Sequence, residues 1–134
     1  MEKNLTREEV IRLYSSATLA YIGDAVIEVI VRTYLTYEGD KSVSRLNDEA
    51  KSFVTAACQS AAAGKLDSIL DEFEMSVYKR GRNMKTLHAP KNTTLIDYRR
   101  ATGLECVFGY LWLLKDSERI QQLFRFCFLE RNES

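Results

Sequence analysis

The chain has 134 residues, of which 46% are apolar and 28% are charged, and its formal net charge at pH 7 is zero. This length suits one domain with a hydrophobic core of its own, and this composition excludes a disordered chain. We therefore expect a single catalytic or binding domain over residues 1–134.

Two further function classes are excluded by the distribution of residues. The first ten residues, MEKNLTREEV, are polar, and no uncharged apolar run approaches the roughly 20 residues that cross a bilayer. The three cysteines are odd in number and far apart, so they predict neither a disulfide framework nor a zinc site. We expect a cytoplasmic protein that does not enter a membrane.

The predicted elements are helical along the whole chain. Thr6 and Glu9 form a capping box that starts the first helix near Arg7. Apolar spacing and glycine stops predict further helices over about 16–37, 43–63, 67–79 (one or two short ones) and 94–114, and a last one from about 116. No segment is typical of a strand, so we predict an all-α fold of about six to eight helices.

Two carboxylates stand out because each follows a glycine inside an apolar run. Asp24 lies directly after Gly23 in LAYIGDAVIEVI, and Glu105 lies two residues after Gly103 in ATGLECVFGYLWLL. Neither acid has a basic residue three or four positions away on its own helix. Each therefore needs a distant salt bridge, a raised pKa or a bound cation, and two such acids brought together would suit Mg²⁺.

A basic segment precedes the second acid. The stretch KRGRNMKTLHAPKNTTLIDYRR, residues 79–100, contains seven basic residues and one acid, Asp97, and is interrupted by Gly81 and by Pro90, the only proline. We interpret it as a mobile loop that could bind phosphates, although a solvated loop without a ligand has the same composition.

These stretches resemble a known family. LAYIGDAVIEV resembles the signature helix of the ribonuclease III family. Followed by YKRGRNMK, PKN and YRRATGLECVFGYLWLL in this order, it is similar to the Mini-ribonuclease III subfamily over nearly the whole chain. The resemblance implies an all-helical, dimeric catalytic domain without an appended RNA-binding domain.

The resemblance also implies roles for particular residues. The aspartate of the signature falls on Asp24 and the second metal-binding acid on Glu105. Larger ribonuclease III enzymes have further acids where this chain has Ala17, Ala20 and Thr102, so more of the metal's ligands must come from water and RNA. The basic segment would replace the missing RNA-binding domain, and the expected RNA contacts are Arg80, Arg82, Asn83 and Lys85, then Lys91, Arg99 and Arg100.

The function implied is Mg²⁺-dependent hydrolysis of phosphodiester bonds in double-stranded RNA. The expected substrate is the duplex that flanks precursor 23S ribosomal RNA, cut by a homodimer with one site per subunit, and a large-subunit ribosomal protein is a further possible partner. The alternative is a catalytically silent RNA-binding or ribosome-assembly module on the same scaffold. The sequence leaves the roles of Glu28, His88, Tyr98, Thr102 and Trp112 open, while small residues such as Ala17 and Ala25 would allow close helix approach in a dimer.

Overall fold

The computed structural model describes residues 2–85 and 88–130. Within these ranges there is no strand, which confirms the predicted all-α fold. The described residues form seven α-helices: α1 (Arg7–Leu13), α2 (Ser16–Glu38), α3 (Val43–Val54), α4 (Ala56–Ala63), α5 (Glu72–Arg82), α6 (Leu95–Leu113) and α7 (Ser117–Phe124). A 3₁₀ turn, Leu66–Ser68, precedes α5, and a π-helical turn, Arg125–Leu129, follows α7.

Side-chain caps fix most helix starts. The capping box predicted at the start of α1 is present: Glu9 N–H donates to the Thr6 hydroxyl at 3.1 Å, and Thr6 N–H donates to the Glu9 carboxylate at 3.0 Å. Hydroxyl or carboxylate side chains also accept the first free N–H groups of α2 to α7. These N-cap residues are Ser15, Ser42, Thr55, Asp71, Thr94 and Asp116.

The single helix predicted over 43–63 was wrong. The chain leaves the helical conformation at Thr55 (φ −67°, ψ 152°), which ends α3 and caps α4 by accepting from Cys58 N–H at 3.3 Å. A threonine hydroxyl can replace a helical hydrogen bond in this way, so the alanine-rich segment turns there instead of continuing.

Helix α6 is the centre of the fold, since α2, α4 and α5 all pack against it. Its contact with α2 is the most extensive and passes through two glycines. A Cβ at Gly23 would overlap the Glu105 carbonyl, and a Cβ at Gly109 would overlap the Leu19 carbonyl. The two helices therefore touch backbone to backbone, which residues with side chains could not allow.

Helix α5 also approaches α6 closely. A Cβ at Gly81 would lie 2.6 Å from the Cys106 sulfur, and a Cβ at Gly103 would lie 2.7 Å from the Tyr78 ring. The carboxyl end of α5, from which the basic segment continues, is consequently held beside the α6 turn that carries Glu105.

One buried ion pair ties α7 to α5. Glu74 is only 2% exposed, and the Arg119 guanidinium donates to both of its carboxylate oxygens at 2.7 and 2.8 Å. Arg119 also donates to the Ile69 carbonyl at 2.6 Å. This buried acid therefore has a basic partner.

Among residues 2–85 and 88–130, no single helix is both long and apolar enough to cross a bilayer. Only α1 and α2 taken together, bent by 114° at their junction, meet the requirement of length and composition.

Candidate active site

The crossing of α2 and α6 brings Asp24 and Glu105 together. Because the Gly23 backbone lies directly on the Glu105 carbonyl, the next residue of α2 lies beside the Glu105 side chain. The pKa of Glu105 is raised from 4.5 to about 8, mainly by burial and then by the negative charge and side-chain hydrogen bonding of Asp24. The two acids predicted from sequence thus form one site.

The two acids differ in exposure. Glu105 is partly buried in α6, whereas Asp24 is exposed on the outer side of α2. Asp24 is therefore not part of the core, although it lies inside an apolar run, and the buried positions around it are Gly23, Val26 and Ile27. A carboxylate at this position can bind a ligand that approaches from water.

Neither acid is neutralised by a basic residue in the described part of the chain. Among the described residues, neither Asp24 nor Glu105 forms an ion pair, whereas the buried Glu74 is paired with Arg119. The distant arginine that remained possible from sequence is therefore not found in the described part of the chain. No basic side chain of the described residues therefore offsets the repulsion between the two carboxylates, and without a cation the protonation of Glu105 relieves it.

These two carboxylates fit a divalent cation. They offer oxygen ligands only, one of them open to solvent, which suits a hard ion that keeps several water ligands. Over residues 2–85 and 88–130 no third acid joins them to make a fuller cage. Glu28, a possible third ligand, instead accepts from Arg32 at 3.4 Å. Water and substrate oxygens would have to complete the shell.

The basic segment is partly helical. Its first residues belong to α5 and its last residues to α6, so the connection between the helices spans only residues 83–94. Thr86 and Leu87 lie outside the described residues. Lys85, Lys91 and Arg100 are exposed, and Arg99 is partly buried. Arg82 lies over the Tyr78 ring, 5.5 Å from its centroid, and donates to the Asn83 side chain at 3.2 Å.

Arg80 has contacts that its place in the basic segment did not predict. Its guanidinium donates to the Ile11 carbonyl at 2.9 Å, the Tyr14 carbonyl at 3.0 Å and the Ser16 hydroxyl at 3.1 Å. All three acceptors lie at the junction of α1 and α2. Arg80 therefore binds three protein acceptors, while its side chain remains exposed.

The residues with open roles lie in different settings. His88 is exposed, and Trp112 is 51% exposed, so Trp112 is not a core residue of the subunit. Thr102 is buried and donates to the Tyr98 carbonyl at 2.8 Å, so its hydroxyl hydrogen is engaged within α6.

Comparison with known proteins defines the class. Residues 17–116 match the family profile described as Ribonuclease III domain, so the fold is that of a ribonuclease III-type domain. The X-ray crystal structure of a protein from Fusobacterium nucleatum is similar, with a TM-score of 0.77 and 36% identity over 86% of this chain and 92% of that one.

Relatives with a common name narrow the class further. The Mini-ribonuclease 3 of Clostridium tetani is 44% identical over 108 residues, 80% of this chain and 72% of that protein. The Mini-ribonuclease 3 of a Thermoanaerobacter species is 37% identical over 119 residues, 89% of this chain and 83% of that protein. This chain belongs to the ribonuclease III family, and within it to the Mini-ribonuclease 3 family. It is a double-strand-specific endoribonuclease.

The acid pair predicts how stability changes with pH. The pKa of Glu105 is about 8 in the folded chain against 4.5 when unperturbed, so the folded state holds an extra proton between these values. The stabilisation of the folded state that this extra proton provides is fully present below about pH 4.5 and is lost as pH rises to about 8. In chelator, we expect the free energy of unfolding to fall by roughly 2–4 kcal/mol across this window.

Chemical denaturation at several pH values measures this change. Glu105→Gln mimics the protonated acid, so we expect it to remove most of the pH dependence and to stabilise the protein at pH 8 without metal. Glu28→Gln removes an acid that is paired with Arg32, and it should keep the wild-type slope. A Glu105→Gln protein as pH-dependent as wild type would contradict the prediction.

Proposed function

We propose that Asp24 and Glu105 hold Mg²⁺ and hydrolyse phosphodiester bonds in double-stranded RNA. The observation that carries the proposal is the pair itself: two adjacent carboxylates, one exposed, with no basic partner in the described chain. When bound, the ion would lower the pKa of a coordinated water and stabilise negative charge on the phosphoryl group.

The two acids would divide the work according to their exposure. Asp24 faces solvent and would orient the attacking water and the metal towards the phosphate. Glu105 is fixed in the central helix by the crossing with α2, and its raised pKa means that its charge is best accommodated with a cation beside it. Asp24 and Glu105 would therefore position the metal and the attacking water, and they need not donate a proton themselves.

The basic segment supports RNA as the polyanion. Duplex RNA presents phosphates and 2′-hydroxyls rather than readable base edges, so cations around the minor groove supply much of the affinity. We propose Arg82, Asn83, Lys85, Lys91, Arg99 and Arg100 as RNA contacts. The close packing of α5 on α6 at Gly81 and Cys106 supports this choice, because it holds the segment near Glu105.

The finer identity of the substrate follows from the subfamily. We infer that residues 1–134 act as one catalytic domain in the cytoplasm and mature the ends of precursor 23S ribosomal RNA. A large-subunit ribosomal protein bound to that RNA would be a partner. What supports these inferences is the resemblance to Mini-ribonuclease III over nearly the whole chain.

Loss of either acid should abolish cleavage without abolishing the fold. With duplex RNA and Mg²⁺, we expect Asp24→Asn to lower kcat by at least about 1,000-fold, since it removes the exposed metal ligand, and Glu105→Gln to be nearly as damaging. Single-turnover cleavage of an end-labelled duplex measures both. Glu28→Gln provides the matched control and should cut at nearly the wild-type rate.

Two outcomes of this assay would contradict the proposal. A wild-type protein that binds duplex RNA but does not cut it with Mg²⁺ or Mn²⁺ would be the silent module. Equal cleavage by wild type and Asp24→Asn would show that the acid pair has no role in the reaction.

The role of the basic segment predicts a change in salt dependence. Lys85→Ala with Lys91→Ala should weaken duplex binding and reduce the slope of log K against log salt by about 1 to 2, because each phosphate contact contributes about 0.9. Filter binding over a salt series measures the slope. The pair Lys41→Ala with Lys51→Ala removes the same charge from lysines that pair with Glu49 and Asp48. An equal change in this control would show a net-charge effect only.

One face of α2 supports a homodimer. Tyr21 is 81% exposed, Val29 is 51% exposed, and the small residues Ala17 and Ala25 are also exposed on this helix. Asp24 lies among them, so a second copy docked here would place two active sites close together. Two other small residues of this helix, Ser16 and Ala20, are buried and partly buried, so they serve the packing inside the subunit.

A single charge at the centre of this face should separate the subunits. We expect Tyr21→Asp to shift the sedimenting species from a dimer towards the 15.4 kDa monomer, because it would bury two unpaired carboxylates across the interface. Tyr37→Asp makes the same change at an 85% exposed tyrosine near the other end of α2, and it should leave the dimer intact. A wild-type monomer in sedimentation velocity would overturn the proposal.

A further inference from the structure

Arg80 joins three helices although it lies in a segment that should bind RNA. Its three hydrogen bonds connect α5 to acceptors 64 to 69 residues earlier in the chain. Two acceptors, the carbonyls of Ile11 and Tyr14, lie where α1 ends. The third is the hydroxyl of Ser16, the first residue of α2.

Ser16 is the meeting point of these contacts. Its hydroxyl accepts from Arg80 at 3.1 Å, while its carbonyl accepts from the Cys106 thiol at 3.2 Å. Ser16 is buried at 8% exposure, and Cys106 is fully buried. Gly81, next to Arg80, packs on the same cysteine. Arg80, Ser16, Cys106 and Gly81 therefore form a closed ring of contacts among α2, α5 and α6, which we term the Ser16 junction.

The Ser16 junction lies on the three helices that carry the acid pair and the start of the basic segment. Cys106 is the neighbour of Glu105 on α6, and Ser16 stands eight residues before Asp24, about 12 Å along the same helix. Arg82, the first proposed RNA contact, follows Arg80 by two residues. A displacement at the junction would thus move the acid pair and the basic segment relative to each other.

We propose that Arg80 is a positioning residue that sets the acid pair against the basic segment, and that it is not an RNA ligand. The inference rests on the proposed cleavage of duplex RNA by Asp24 and Glu105. Three of the five N–H donors of the guanidinium are used by protein acceptors on a different part of the chain. Arg80 is exposed, but those bonds hold its guanidinium in one orientation on the protein.

The requirement should be specific for arginine. The acceptors of Arg80 are two carbonyls and a hydroxyl, and the planar fork of the guanidinium reaches them together. A lysine carries the same charge as a compact ammonium and cannot span the three positions. At a phosphate contact, by contrast, lysine is an effective replacement for arginine.

Steady-state cleavage by Arg80→Lys and Arg80→Ala tests the proposal. We expect both variants to lose kcat on the order of ten- to a hundredfold, because a displacement of about 1 Å can cost about 100-fold. Their KM and the salt slope of duplex binding should remain those of wild type. The Lys85→Ala with Lys91→Ala protein supplies the opposite pattern, a raised KM and a flatter slope. Circular dichroism at the assay temperature confirms that each protein is folded.

A double-mutant cycle separates positioning from a general loss of stability. Ser16→Ala removes one acceptor of Arg80 but keeps the carbonyl that binds Cys106, so it should show a smaller loss of kcat. In Arg80→Ala with Ser16→Ala the two losses should not add, since both remove the same hydrogen bond. Additive losses would contradict a shared action through the Ser16 junction.

Three further results would overturn the inference. If Arg80→Lys keeps the wild-type kcat while Arg80→Ala flattens the salt slope, Arg80 is an RNA ligand. If kcat and KM are unchanged and only the melting temperature falls, its role is structural alone. If Arg80→Ala does not fold, the other two variants still test the inference. A wild-type kcat in both Arg80→Lys and Ser16→Ala would exclude a positioning role for Arg80. A wild-type protein that fails to cut would refute the proposed function itself, and that result is distinct from these three.

Discussion

The backbone contact between α2 and α6 is the constraint on which the rest of the structure depends. Gly23 lies on the Glu105 carbonyl and Gly109 lies on the Leu19 carbonyl, so the two longest helices cross without intervening side chains. This close approach places Asp24 beside Glu105, and it makes α6 the helix against which α4 and α5 also pack. The position of the acids is therefore a property of the core and not of a loop.

The same crossing has an electrostatic consequence. A carboxylate held beside another carboxylate, and partly removed from water, is stable only if it is protonated or bound to a cation. The chain could have supplied an arginine, as it does for Glu74 and Arg119. In the described chain it does not, so the proposed metal ion would bind the folded protein more tightly than the unfolded chain. Such a ligand adds to stability by mass action.

Much of the fold could be predicted from the sequence because its signals are local. The capping box at Thr6 and the end of α2 near Gly39 depend on residues a few positions apart. The break at Thr55 was missed because alanine spacing alone favours a continuous helix, while the competing cap is a weaker signal. Around Asp24, apolar residues occupy several sides of α2, so the sequence does not show which side is buried. The packing of α2 on α6 determines that Asp24 is exposed.

Arg80 shows why the candidate site could be predicted only in part. Its charge and its neighbours are those of a phosphate ligand, and its acceptors lie far away in the sequence, so no local pattern could separate the two roles. The distinction matters for the acids as well. An arginine of α5 that reached Glu105 would neutralise it and compete with a metal, whereas one directed onto carbonyls and a hydroxyl holds the helices without cancelling any charge. Arg80 can thus lie on α5, which packs against the helix that carries Glu105, and still leave the acid pair available to a metal ion.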